Sequence, residues 1–93
     1  MSALETVWVF VAPNAPFPSA VFSSESAAER WVTSNRLTGL LTEYPLNVSA
    51  FDWAVEMGFF SVKRNDHLSP DFIGRFTSAH MAHIHYQDGK RVE

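Results

Sequence analysis

The residues with the most distinctive chemistry are four histidines, three of which lie close together. His80, His83 and His85 are separated by two residues and by one residue, and His67 lies upstream. Neutral imidazoles at close range can bind Zn, Ni or Cu. On a strand, however, His83 and His85 share a face while His80 points away, and on a helix His85 lies off the face shared by the other two. We therefore predict a polar sheet face with partly exposed imidazoles and no tight metal site that gathers all three. The alternative is a small metal-dependent protein or enzyme that uses these histidines.

Asp52 and Glu56, which lie one helical turn apart, are a further candidate for catalysis. Paired carboxylates can perform acid–base chemistry, but acidic residues in the first turn of a helix also complement its dipole. We assign Asp52 to a helix N-terminus for that reason. His85 could join a serine and an aspartate in a hydrolytic triad, but no Gly-x-Ser-x-Gly motif is present. We predict no catalytic residue.

Composition excludes several other classes of function. The chain contains no cysteine, which removes thiol catalysis and disulfides, and its four glycines are isolated, so we predict no nucleotide or other cofactor. Seven basic residues against ten acidic ones give a net charge of −3, which argues against nucleic-acid binding. The longest apolar run, residues 7–12, is too short to span a membrane, and no signal-peptide pattern is present. We therefore predict a cytoplasmic protein.

The aromatic content is high for a chain of 93 residues, of which 14% are aromatic. Phe59 and Phe60 are adjacent, and adjacent side chains point to opposite faces of a strand and diverge by about 100° on a helix. A small layered domain has little core with which to bury two rings that point in different directions. We therefore predict that Phe59 or Phe60 lies at an interface with a protein partner or with a second copy of the chain, most simply in a homodimer.

The strands that position these residues are indicated by β-branched and aromatic runs at residues 7–12, 20–22, 40–44 and 80–87. The first run is apolar on both alternating faces, which favours a central strand covered on both sides. The second is short and follows a proline-rich loop, which is typical of an edge strand. Asp88-Gly89 predicts a turn, with a return arm at residues 90–93 too short for a stable hairpin.

Three helices are indicated by serine N-caps. Ser24 begins a helix to about Asn35, whose apolar stripe places Trp31 over Trp8 and Phe10 in one core. Ser49 with Asp52 opens a short helix that Gly58 ends, and Ser69-Pro70-Asp71 starts a third. We predict a single α+β domain over residues 1–93, with a mostly antiparallel sheet of three to four strands and two to three short helices packed against it.

Six segments, which span nearly the whole chain, carry a resemblance to known proteins: Val7-Trp8-Val9-Phe10, Phe17-Pro18-Ser19-Ala20-Val21-Phe22, Leu37-Thr38-Gly39 with Leu41-Thr42-x-Tyr44-Pro45, Phe51-Asp52-Trp53-Ala54-Val55, Phe72-Ile73-x-Arg75-Phe76 and His83-x-His85-Tyr86. The set resembles a family of small bacterial proteins catalogued only as a domain of unknown function. This resemblance implies no activity, cofactor or catalytic residue. The small acidic domain is also similar in character to immunity proteins of bacterial toxin systems, which implies a non-enzymatic protein-binding module.

Overall fold

The structure, a computed structural model, describes residues 5–92. Along these residues it forms strands, α-helices and one 3-10 helix, Asn65–Leu68. In chain order the others are β1 (Thr6–Val11), β2 (Ala20–Phe22), α1 (Glu25–Ser34), β3 (Gly39–Pro45), α2 (Ala50–Glu56), α3 (Pro70–Arg75), β4 (His83–Gln87) and β5 (Lys90–Arg91). None of the helices in this part of the chain is long and apolar enough to cross a membrane.

The strands form one antiparallel sheet in the order β2-β1-β3-β4-β5. β1 is central, pairing with β2 through Trp8 and Phe22 and with β3 through Phe10 and Leu41. The three-residue β2 lies at an edge, after the proline-containing loop that joins it to β1. The predicted α+β fold with an antiparallel sheet is confirmed, and β5 adds a strand beyond the number predicted.

The main core lies between one face of the sheet and α1. Trp8, Phe10, Leu41 and Tyr86 on the strands are buried together with Ala28 and Val32 on the helix. Trp31 packs at the border of this cluster, with its ring edge-to-face on Phe10 at a centroid distance of 5.4 Å. The predicted core of Trp8, Phe10 and Trp31 is therefore confirmed.

The opposite face of β1 differs from the prediction. Val7, Val9 and Val11 on that face are only half-buried, whereas Trp8 and Phe10 on the other face are buried. The expectation that both faces are covered is wrong, because α1 covers only one of them. β-branched side chains also suit a half-buried pleated surface, so a valine-rich strand does not by itself indicate two-sided cover.

The predicted helix caps are confirmed. The hydroxyl oxygen of Ser24 accepts a hydrogen bond from the Ala27 amide at 3.2 Å, and that of Ser49 accepts one from the Asp52 amide at 2.9 Å. Ser69 caps α3 in the same way. Gly58 follows α2 with φ of +82°, the left-handed conformation expected of a glycine that ends a helix.

Residues 46–82 connect β3 to β4 and contain a second aromatic cluster, formed by Phe51, Phe60, His67, Phe72 and Phe76. Neighbouring rings in this cluster have centroids between 4.8 and 6.2 Å apart. Its members come from α2, α3, the 3-10 helix and their connections. This cluster packs the connecting segment largely with its own side chains.

The C-terminal strands differ from the prediction at both ends. The predicted strand over residues 80–87 begins only at His83, because the His80 amide donates to the Ser78 hydroxyl and the chain turns there. The prediction that the return arm after Asp88-Gly89 is too short for a stable hairpin is wrong, because residues 90 and 91 pair with β4. Arg91 also forms ion pairs with Glu25 and Glu29, which link this short strand to α1.

Candidate functional site

A groove of mixed polar and apolar lining lies on the face of the sheet opposite α1. It has a volume of about 370 Å³ and is bounded by β3, by β4 and by the segment after α3; its lining residues are Leu40, Thr42, Tyr44, Thr77, Ser78, Ala79, His83 and His85. Thr42 pairs with His83 and Leu40 pairs with His85 in the antiparallel register of β3 and β4. The strands therefore place two imidazoles and several hydroxyl groups in one exposed depression.

The two imidazoles in this groove have a defined geometry. The rings of His83 and His85 are 5.5 Å apart between centroids and nearly perpendicular. His83 Nδ1 lies 2.8 Å from the carbonyl oxygen of Met81. A carbonyl oxygen can only accept, so Nδ1 carries the proton in this bond, and in the neutral ring Nε2 is the nitrogen with the lone pair. The prediction that His83 and His85 share a face is confirmed.

The other two histidines lie elsewhere. His80 is exposed, and its ring stacks on Phe59 at a centroid distance of 4.2 Å and an angle of 8°. His67 is buried in the second aromatic cluster, where its Nδ1 accepts a hydrogen bond from the Lys63 amide at 3.1 Å. Between residues 5 and 92, no group of three or more His, Cys, Asp or Glu side chains is placed to hold a metal ion. The four histidines thus belong to three separate environments.

Of the two carboxylates of α2, that of Asp52 lies in the first turn and that of Glu56 at the other end of the helix. Asp52 is exposed, and its carboxylate accepts a hydrogen bond from the Ser49 hydroxyl at 2.9 Å while its amide donates to the same hydroxyl. Glu56 is also exposed, at the last residue of α2. Asp52 therefore stabilises the start of the helix, as predicted.

Phe59 and Phe60 have different environments. The Phe60 ring packs inside the second aromatic cluster against Phe51, Phe72 and Phe76. Phe59 keeps 45% of its surface exposed, and its ring lies between those of Trp53, at 5.4 Å, and His80. Met57 is 58% exposed two residues earlier in the chain. We refer to Trp53, Met57 and Phe59 as the Phe59 surface.

A cluster that the sequence analysis missed joins α1 to the C-terminal strands. The Tyr86 hydroxyl donates to the Glu29 carboxylate at 2.7 Å, and Arg91 donates to the same carboxylate and to Glu25. Hydrogen bonds from Arg91 and Tyr86 lower the pKa of Glu29, and burial together with the bond to Glu29 raises the pKa of Tyr86 to about 12. The two glutamates lie more than 50 residues before Tyr86 and Arg91 in the chain, so no local spacing signals their contact.

An open depression lies beside this cluster, at the turn between β4 and β5. The depression has a volume of about 730 Å³, and Arg36, Lys90 and Arg91 contribute positive charge to its lining. Arg91 is already neutralised by two carboxylates of α1, and these bonds raise its pKa. The displaced pKa values of Glu29 and Arg91 therefore arise mainly from their pairing, and that of Tyr86 arises first from burial.

The fold and its surfaces define the class of protein: a small α+β domain with a five-stranded antiparallel sheet, one face covered by a helix and the other bearing a histidine-lined groove. Residues 7–92 match the family model described as "Domain of unknown function (DUF7710)", and the chain belongs to this family. The predicted resemblance to a family known only as a domain of unknown function is thereby confirmed. The chain has no significant match among curated proteins or solved structures.

Proposed function

We propose that this domain is a non-enzymatic protein-binding module whose Phe59 surface contacts a protein partner or a second copy of the chain. The observation that carries the proposal is the exposure of Phe59, at 45%, in a ring stack that holds it in place. Aromatic residues and methionine are enriched in the centres of protein interfaces, and a few rigid aromatic anchors supply most of the binding energy. Phe59 has this character because its ring is partly exposed and packs on the rings of Trp53 and His80.

Charge supports the same proposal. The net charge of −3 is small for 93 residues, so it offers little repulsion against self-association. One concrete version is an immunity-type protein that neutralises a toxin, which the small size and acidic character favour. Homodimer formation in the absence of a partner is the simplest version.

The test compares two exposed phenylalanines. Phe59→Ala removes the proposed anchor, while Phe17→Ala is the matched control, because Phe17 is 77% exposed in the loop between β1 and β2. Light scattering over a range of protein concentrations measures self-association, and affinity capture with each variant as bait measures binding to other proteins. We expect dimers, or a specific captured protein, with wild type and Phe17→Ala but not with Phe59→Ala.

Two outcomes would contradict the proposal. One is association that survives Phe59→Ala and is lost in Phe17→Ala, which would place the interface at the other loop. The other is a monomer at every concentration with no protein captured more by wild type than by Phe59→Ala. For the immunity version, the captured protein is a toxin, and its toxicity is relieved by co-expression of wild type but not of Phe59→Ala.

A further inference from the structure

We propose that His83 and His85 together form a binding site for a divalent transition-metal ion such as Zn²⁺. The protein ligands are Nε2 of His83 and one ring nitrogen of His85, and water fills the remaining positions in the isolated protein. This inference rests on the groove opposite α1 and is independent of the Phe59 surface.

The separation of the two rings fits a shared metal ion. Both side chains leave the same face of β4, because residues two apart on a strand point the same way. With Zn–N bonds of about 2.0–2.1 Å in tetrahedral geometry, the centroids of two imidazoles on one ion lie roughly 5 Å apart. The observed centroid distance is 5.5 Å. Because His85 is exposed, its ring can turn a nitrogen toward an ion bound at Nε2 of His83.

The hydrogen bond of His83 prepares that ring for metal binding. Metal-binding histidines commonly donate their second ring N–H to a backbone carbonyl or a carboxylate, which fixes the tautomer and the ring orientation. His83 Nδ1 makes this contact with the Met81 carbonyl at 2.8 Å. Its Nε2 therefore presents a lone pair to solvent before any ion binds.

The surroundings of the pair determine the class of ion and its affinity. The groove adds hydroxyl groups from Tyr44, Thr77 and Ser78 but no carboxylate. Imidazole suits Zn, Cu and Ni, whereas Mg²⁺ and Ca²⁺ require oxygen ligands, mainly carboxylates and carbonyls. Two protein ligands leave the other coordination positions open, so binding should be weaker than in a closed structural site with four protein ligands.

The experiment is calorimetry of the untagged protein with ZnCl₂, with MgCl₂ as the ion control. His83→Ala and His85→Ala each remove one ligand, and His80→Ala is the matched control, because His80 is an exposed histidine that stacks on Phe59 outside the groove. Loss of a ligand's hydrogen-bond partner alone costs about 10–100-fold in metal affinity. We therefore expect one Zn²⁺ per chain in wild type and in His80→Ala, a loss of at least about tenfold in affinity in the other two variants, and no binding of Mg²⁺.

Imidazole nitrogen NMR during the zinc titration supplies a second measurement that does not depend on the variants. The Nε2 resonance of His83 and one nitrogen resonance of His85 should shift together, while the resonances of His67 and His80 stay in place. Zinc affinity that is unchanged by His83→Ala and His85→Ala would overturn the proposal. So would an equal loss in His80→Ala, or the absence of any zinc-dependent shift at His83.

Discussion

Replacement of Tyr86 by phenylalanine tests the link between α1 and the C-terminal strands. Tyr86 is 3% exposed, and its hydroxyl donates to Glu29 at 2.7 Å. Tyr86→Phe keeps the ring and removes only this hydrogen bond. A bond to a charged group contributes about 1.5–3 kcal/mol, but the Glu29 side chain is 37% exposed and keeps its bond to Arg91. Water and Arg91 therefore compensate in part, and we expect a loss at the lower end, about 1.5 kcal/mol.

The loss should depend on pH because the bonds from Arg91 and Tyr86 lower the pKa of Glu29 from its ordinary value of 4.5. A carboxylate with a lowered folded-state pKa contributes stability that is present above the ordinary value and is lost as pH falls through the folded value. The difference in stability between wild type and Tyr86→Phe should therefore shrink in acid. At the alkaline end, the raised pKa of Tyr86 means that wild type loses stability as pH rises from 10.0 toward about 12.

Urea denaturation and thermal melts, both followed by tryptophan fluorescence at neutral, acid and alkaline pH, measure these effects. At neutral pH the melting temperature of Tyr86→Phe should fall by roughly 6–12 °C, since about 1 kcal/mol shifts a domain of this size by 4–8 °C. Glu29→Ala should cost more than Tyr86→Phe, because it leaves a buried hydroxyl without an acceptor. Equal stability of wild type and Tyr86→Phe at neutral pH, or a difference that is the same in acid, would refute this reasoning.

Two further predictions concern Gly39, tested by thermal melts, and the Ser69 cap, tested by amide hydrogen exchange. At Gly39, a Cβ atom would lie 2.5 Å from the Val11 carbonyl oxygen and 2.6 Å from the Phe10 ring, so Gly39→Ala should cost about 1–3 kcal/mol. Gly74→Ala is the control, with no atom within 4 Å of the new Cβ, and it should be neutral or stabilise α3 by about 0.5–1 kcal/mol; equal effects of the two would contradict the steric argument. Ser69→Ala should lose about 1 kcal/mol of helix stability. The Ser69 hydroxyl accepts a hydrogen bond from the Phe72 amide at 3.1 Å, so this amide should exchange faster in the variant. Unchanged exchange would argue against the cap.

Features controlled by neighbouring residues were predictable from the sequence. The serine caps at Ser24, Ser49 and Ser69 depend on a side chain and an amide three residues away, and all three are confirmed. The shared face of His83 and His85 followed from strand periodicity in the same way. Phe59 and Phe60 do have different environments, since Phe60 packs inward and Phe59 stays 45% exposed, but they lie outside any strand or helix, so periodicity does not explain the difference. The role of either ring at an interface stays a prediction.

Features that join distant parts of the chain were not predictable in this way. The bond between Tyr86 and Glu29 and the ion pairs of Arg91 depend on where β4 and β5 lie relative to α1. β5 was missed because the contacts that accompany its pairing, including these ion pairs and the bond from the Gly89 amide to the Leu37 carbonyl, join it to distant parts of the chain. The half-buried face of β1 was misjudged because valine at alternate positions fits a covered surface and a partly exposed one equally well.

The connection between β3 and β4 has a consequence for how the chain folds. These strands are adjacent in the sheet, yet residues 46–82 separate them. β1 and β2 need only a short loop to meet, so their pairing carries a smaller entropic cost of closure. The longer connection carries the higher cost, and the second aromatic cluster within it would offset only part of that cost. We therefore expect β4 to join the sheet late, so that the groove at His83 and His85 is among the last parts of the domain to assemble.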